Sequence, residues 1–155
     1  MIEITKSVFI ENKSPEQLFN FFLSLNKDKY VKAAPNSHKD FKTIKPIQSI
    51  VGSVYYFHEK VGRLDLKHTW LVTDVRKYEY IFQKAQIFYP VTIEIYLEKV
   101  LGGTKLTQKI LVGFIFFGFE RIIDWFTKLF ILTPWQIKTL HQHTQEEFTN
   151  WGKLS

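Results

Sequence analysis

The chain has 155 residues, 45% hydrophobic and 23% charged, which suits one globular domain with a buried core. It has no cysteine, which excludes disulfides and thiolate metal sites, fits a reducing compartment and leads us to expect a cytoplasmic location. A net charge of +6 and a pI near 9.4 raise nucleic acid or an anionic membrane as partners. The basic residues are scattered, however, and carry no nucleic-acid-binding motif, so we expect a solvated basic surface and no nucleic-acid partner.

Residues 2–12 alternate as a strand does, with Ile4, Val8 and Ile10 against polar neighbours. The N-terminus has no basic stretch followed by an apolar one, so no signal peptide is expected. Ser14-Pro15-Glu16-Gln17 is a helix start signal, and Leu18, Phe19, Phe22 and Leu25 follow at helical spacing over residues 15–25. Residues 26–46 are polar and Lys-rich with two prolines, which predicts a long loop or short helical turns.

Turn signals then separate five strand-like runs, at residues 52–59, 64–75, 78–86, 91–100 and 104–112. Strands this close in sequence predict an antiparallel meander, and Gly102-Gly103 reads as a hairpin turn rather than a phosphate cradle. Residues 113–132 form the most apolar segment. A spanning helix needs about 20 predominantly apolar residues with few charges. Glu120, Arg121, Asp124 and Lys128 interrupt this one, so it predicts a buried or partly exposed amphipathic helix with Ile122, Trp125, Phe126, Leu129 and Phe130 on its apolar side. No transmembrane segment is expected, and peripheral membrane contact stays open.

The last run, residues 133–151, organises the rest. Thr133 suits a cap, Pro134 the first helical position, and Gln136 can reach back to the cap. At about 100° per residue, Gln136, Leu140, His143, Glu147 and Trp151 share one stripe, with Ile137, Thr144 and Phe148 beside it. That stripe should pack inward, taking His143 and Glu147 with it. A buried carboxylate costs several kcal/mol unless it is paired or metal-bound. Either Glu147 faces water at the helix end or it works in a cavity.

The order of elements over residues 1–155 resembles a single START-like (SRPBCC) domain. The resemblance implies an α+β helix-grip fold, a curved antiparallel β-sheet wrapped around a long C-terminal helix with a central ligand cavity. Three segments are similar to the branch that includes the diacetylphloroglucinol and phloretin hydrolases. They are Tyr30-Val31-Lys32-Ala33-Ala34-Pro35-Asn36-Ser37-His38, Gly52-Ser53-Val54-Tyr55-Tyr56-Phe57-His58-Glu59 and His143-Thr144-Gln145-Glu146-Glu147. The resemblance implies a zinc centre that cleaves a carbon–carbon bond beside an aromatic ketone, and gives His38, Glu59, His143 and Glu147 as ligands. Many members have a His just before the Pro of the first segment, where this chain has Ala34.

Read as chemistry alone, two imidazoles and two carboxylates suit zinc or another divalent first-row metal. His143 and Glu147, at i and i+4, project from one side of a helix, although such pairs are also ordinary surface interactions. His38 falls in a polar stretch where exposure is the default. Glu59 shares a strand face with Tyr55 and Phe57, and a solvated strand end is its plainer reading. His58 points the other way, and His141 lies off the inward stripe by about 100° and is expected to be exposed. His68 shares a face with Trp70 as a core histidine or a cavity group. Aromatics at 17% can fill a core or line a pocket, for which Tyr55, Phe57, His68, Trp70, Leu140 and Trp151 are the expected ligand-binding residues. Nucleophilic catalysis has no support in the sequence, and catalytic residues stay unassigned. Two functions follow: binding of a small hydrophobic, aromatic or polyketide-like molecule, or metal-dependent hydrolysis or lysis of an aryl ketone.

Overall fold

The structure is a computed structural model that describes residues 1–85, 90–113 and 120–155. The end of the third strand-like run, at residue 86, and residues 114–119 of the apolar segment lie outside the described residues. Strand β1 (Ile2–Glu11) leads to helices α1 (Pro15–Leu23) and α2 (Lys27–Ala33). Strands β2 (His38–Lys45), β3 (Val54–Val61), β4 (Leu64–Arg76), β5 (Tyr80–Ala85), β6 (Val91–Val100) and β7 (Gly103–Val112) follow. Helices α3 (Glu120–Phe130) and α4 (Pro134–Leu154) close the chain.

The strands form one seven-stranded antiparallel sheet in the order β1-β7-β6-β5-β4-β3-β2, curled into a half-barrel. The alternation of β1 survives intact: Ile2, Ile4, Val8 and Ile10 are buried, and Ile4 and Val8 lie opposite Ile110 and Leu106 of β7. This is the pattern of a sheet with one face on a core and one in water.

Helix α1 starts at a complete capping box, in which the Ser14 hydroxyl accepts from the Gln17 N–H and the Gln17 side chain accepts from the Ser14 N–H. Its Leu18, Phe19, Phe21 and Phe22 join Phe148 and Trp151 of α4 and Val8, Ile10, Ile81, Ile95, Leu97 and Leu106 of the sheet in one core cluster. Helix α4 lies across the concave side, pinned to β7 by Thr144 Oγ1 on Gln108 Oε1 at 2.9 Å. At the other side, Asn150 Nδ2 donates to the Ala33 carbonyl of α2 at 2.9 Å. The predicted stripe is the buried one: Gln136, His143, Thr144, Glu147, Phe148 and Trp151 are all buried.

Three expectations need correction. For residues 26–46 the helical alternative holds at α2, capped by Asn26 on the Lys29 N–H, whereas the strand β2 stands where no strand was expected. Gln136 does not reach back to Thr133. The Thr133 hydroxyl accepts from the Gln136 N–H, but the Gln136 amide bridges the β3–β4 turn instead, donating to the Val61 carbonyl at 2.7 Å and accepting from the Arg63 N–H at 3.3 Å. Val61 is buried against the helix start, so its carbonyl, out of reach of water, claims the Gln136 amide. The apolar side of α3 faces outward, with Ile122, Trp125, Phe126, Leu129 and Phe130 all exposed. No helix of the described residues is long and apolar enough to cross a membrane.

Candidate metal centre

Three elements converge beneath α4. β2 begins at His38, which lies opposite Glu59 of β3; a bulge at Lys39 then shifts the register, so that Phe41 faces Phe57. His38 and Phe41 are three residues apart, an odd number that would put them on opposite faces of a regular strand. The extra residue restores both to the inner face. Helix α4 supplies His143 and Glu147 from consecutive turns.

The four side chains predicted as ligands come together. His143 Nε2 lies 3.5 Å from Glu59 Oε2 and 3.9 Å from Glu147 Oε2. His38 Nε2 lies 3.8 Å from Glu59 Oε2 and 3.7 Å from Glu147 Oε1. Donor atoms of His38, Glu59 and His143 all fall within 4.8 Å of one another. His38 is only 1% exposed, against the expectation of a solvated loop histidine. Its Nδ1 sits 2.6 Å from the Tyr30 carbonyl, a pairing that puts the proton on Nδ1 and leaves the Nε2 lone pair aimed at the carboxylates. The Tyr30 ring stacks on the imidazole at 3.7 Å and 6° and fixes its plane.

The donor set fits a divalent metal. His38 Nε2 is buried without a hydrogen-bond partner, an uncommon state for a buried polar atom unless something else binds there. Burial pulls the His38 pKa down to about 4, against the opposing pull of Glu59, so its imidazole is neutral and ligand-competent. Burial pushes the Glu147 carboxyl up to about 7, with Glu59 adding to the push and His143 resisting it. At Glu59 burial works in the same upward direction, but the His143 imidazole and the other histidines overcome it and hold the carboxyl below its ordinary value. Burial also works to lower His143, and there Glu59 and Glu147 win and raise it. Two carboxylates are thus held among imidazoles in a buried site, an arrangement whose desolvation costs folding free energy.

Two further groups border the cluster. His68 of β4 places Nε2 at 3.8 Å from Glu59 Oε1, buried and without a hydrogen bond, and burial lowers its pKa despite Glu59. A third imidazole thus reaches the site from β4, while Ala34 is fully buried at the end of α2. Tyr30, which the sequence reading did not single out, presents a buried hydroxyl beside Glu59. Burial, then Glu59 and Glu147, raise its pKa and hold it protonated. Its position in the His38 segment was the only signal. His58 pairs with Asp65 at 2.8 Å on the outer face, and His141, expected to be exposed, is half-buried.

A cavity of about 80 Å³ adjoins the cluster. Of the residues expected to bind ligand, Phe57, Trp70, Leu140 and Trp151 line it, with Glu59, His143 and Glu147. His68 stands behind, stacked at 6.3 Å on Phe57 and edge-on to Trp70 at 5.0 Å. Tyr55 does not line it. Four residues from Glu59, it is about 13 Å further along the strand, and it stacks on Phe41 at 5.8 Å. The aromatic residues therefore fill much of the interior themselves: an apolar cavity of about 150 Å³ is known to take benzene, and this one is smaller. An open groove of about 850 Å³ over Pro15, Tyr78 and Leu97 carries no comparable buried cluster among the described residues.

No family model matches the chain, and no curated protein matches it. Solved structures do. A START superfamily protein from Mycobacterium smegmatis is similar at 11% identity, with 98% of this chain and 97% of that one covered and a TM-score of 0.70. The KanY protein (ms6282) is similar at 12% identity over 99% and 96%, with a TM-score of 0.69, and Ara h 8.0201 at 12% over 99% and 96%, with a TM-score of 0.67. At these identities the likeness shows the fold, which is the helix grip.

Proposed function

We propose that this chain is a zinc-dependent hydrolase or lyase that cleaves a carbon–carbon bond beside the carbonyl of a small aryl ketone. The observation that carries the reading is the convergence of two imidazole nitrogens and two carboxylates, with His38 Nε2 buried, oriented and unpaired. His38, Glu59, His143 and Glu147 would hold the ion. When bound, zinc supplies Lewis acidity toward a carbonyl oxygen and lowers the pKa of water.

The remaining steps belong to the chain's own residues. The apolar wall of Phe57, Trp70, Leu140 and Trp151 orients an aromatic ring and keeps bulk water out. Tyr30, held protonated by burial, donates a hydrogen bond to a substrate oxygen. His68, neutral because burial lowers its pKa, stands behind Phe57; once the lining side chains rotate it accepts a proton at Nε2 from the attacking water and returns it to the ring carbon that leaves. A monocyclic substrate needs more than 80 Å³, so side chains lining the cavity must rotate to admit it.

The same apolar lining favours a second reading, a binder of a small hydrophobic molecule without chemistry. Elemental analysis of untagged protein tests the first. Near-stoichiometric zinc that is lost in a His143→Ala/Glu147→Ala variant supports a metal centre, and turnover of an aryl ketone panel then separates enzyme from binder. Protein that stays metal-free after incubation with zinc sinks the proposal and leaves ligand binding.

A further inference from the structure

Helix α3 is mounted the wrong way round for a helix that serves a core. Ile122, Trp125, Phe126, Leu129 and Phe130 recur at i, i+3, i+4, i+7 and i+8, the spacing of an apolar stripe. All five are exposed, Phe130 at 69%, and Ile131 and Trp135 extend the surface toward α4. Among the described residues of the opposite side, Thr127 is buried and Asp124 is paired with the N-terminal ammonium of Met1. The outward rings touch one another, Trp125 and Phe126 at 5.0 Å and Phe126 and Phe130 at 5.9 Å. Single exposed apolar residues are common, but a stripe of five large ones, followed in the chain by two more exposed ones, marks a binding face.

The charges around this face identify its occupant. Lys128 is exposed on the helix flank beside Trp125, Lys138 is exposed on α4, and Arg63 lies over the Trp135 ring at 5.5 Å. Asp124 is neutralised by Met1, and the chain carries +6 overall. A second copy of the chain is a poor fit. A two-fold contact would press together two proteins of the same +6 net charge, each with exposed lysines flanking this face. An anionic bilayer fits both features: the rings and aliphatic groups enter the headgroup–acyl boundary while Lys128 and Arg63 extend to the lipid phosphates, and Trp is at home in that layer.

We propose that the outer face of α3, continued by Trp135, docks this protein on an anionic lipid bilayer. Docking there sets the β3–β4 turn beside the lipid, because Arg63 of that turn stacks on Trp135. Val61, two residues earlier, lines the cavity. The surface does not depend on the metal centre.

Flotation with vesicles tests this. With phosphatidylcholine and phosphatidylserine at about three to one, wild-type protein floats at low salt, and less of it floats at high salt or with phosphatidylcholine alone. Phe126→Ser/Phe130→Ser lowers partitioning by about tenfold or more, since each ring removes apolar area from water on insertion. Lys128→Glu, which leaves the apolar groups in place, lowers it by about fivefold or more at low salt. A circular dichroism spectrum like that of wild type shows that each variant folds, and the single-charge variant decides if the double variant fails. Wild-type protein that stays at the bottom with anionic vesicles overturns the proposal. So do variants that float like wild type, and so does a dimer in sedimentation that the ring substitutions dissolve without any vesicle binding.

Discussion

Glu147→Gln separates a metal centre from a purely structural polar cluster, because it moves stability and metal affinity in opposite directions. In metal-free protein, burial lifts the Glu147 carboxyl from an ordinary 4.5 to about 7. A carboxyl whose folded pKa is raised penalises the folded state above the unfolded pKa. The penalty grows between 4.5 and 7 and levels off above. Proton linkage puts it at about 3 kcal/mol at pH 7 and roughly half of that near pH 5.5. Gln keeps the volume and cannot ionise, so metal-free Glu147→Gln should be more stable than wild type at pH 7 by up to about 3 kcal/mol, or several degrees in Tm. The advantage should shrink as the pH falls.

Zinc reverses the order. If roughly 10–16 kcal/mol of binding is shared among four ligands, losing one weakens affinity by about a hundredfold or more. Urea denaturation of chelator-treated protein at the two pH values gives the first arm, and competition with a chromophoric chelator gives the second. A variant that binds zinc as tightly as wild type, or that is less stable when metal-free, would refute the reasoning.

Further outcomes follow from the same geometry. Zinc affinity should fall as the pH drops from about 8 to 6, because protons must leave His143, whose pKa is raised, and Glu147, at about 7, before either can ligate; His38, neutral down to about 4, adds nothing in that window. Isothermal titration at several pH values, in buffers of different ionisation enthalpy, would count the released protons. His58→Ala, on the outer face, should leave zinc content unchanged and stability within about 0.5 kcal/mol, as for an exposed pair. Gln136→Ala should cost about 1–3 kcal/mol in urea denaturation, because it strips partners from the buried Val61 carbonyl and the Arg63 N–H. Gly62→Ala should also destabilise, since Gly62 has φ +62° and an added Cβ would lie 2.7 Å from Gln136 Oε1.

What the sequence disclosed, and what it hid, divides along physical lines. The inward stripe of α4 was legible because the helix packs along its length, so its 3.6-residue period passes unaltered into burial, and with it the joint placement of His143 and Glu147. The meander was legible for the same reason, since β4, β6 and β7 lie within the sheet between paired neighbours. β2 was not. It is an edge strand whose outward Lys39, Lys42 and Lys45 blunt the open edge. Its bulge at Lys39 also breaks the two-residue period that would have announced it. His38 therefore looked like a loop residue, and only the resemblance of its segment raised it to a ligand. Its burial comes from pairing with β3, a non-local contact, and from stacking on Tyr30, eight residues back across a turn that the loop reading did not form. Gln136 shows a related limit, since a capping pattern names a donor and an acceptor but not the competing backbone that a distant turn brings. Helix α3 shows a third. Periodicity fixes which residues share a face and carries no information about where the body lies. Ile122, Trp125, Phe126, Leu129 and Phe130 were correctly grouped from the sequence, and only the tertiary placement of Thr127 and Asp124 against the protein turns that group outward, from a candidate core stripe into a surface.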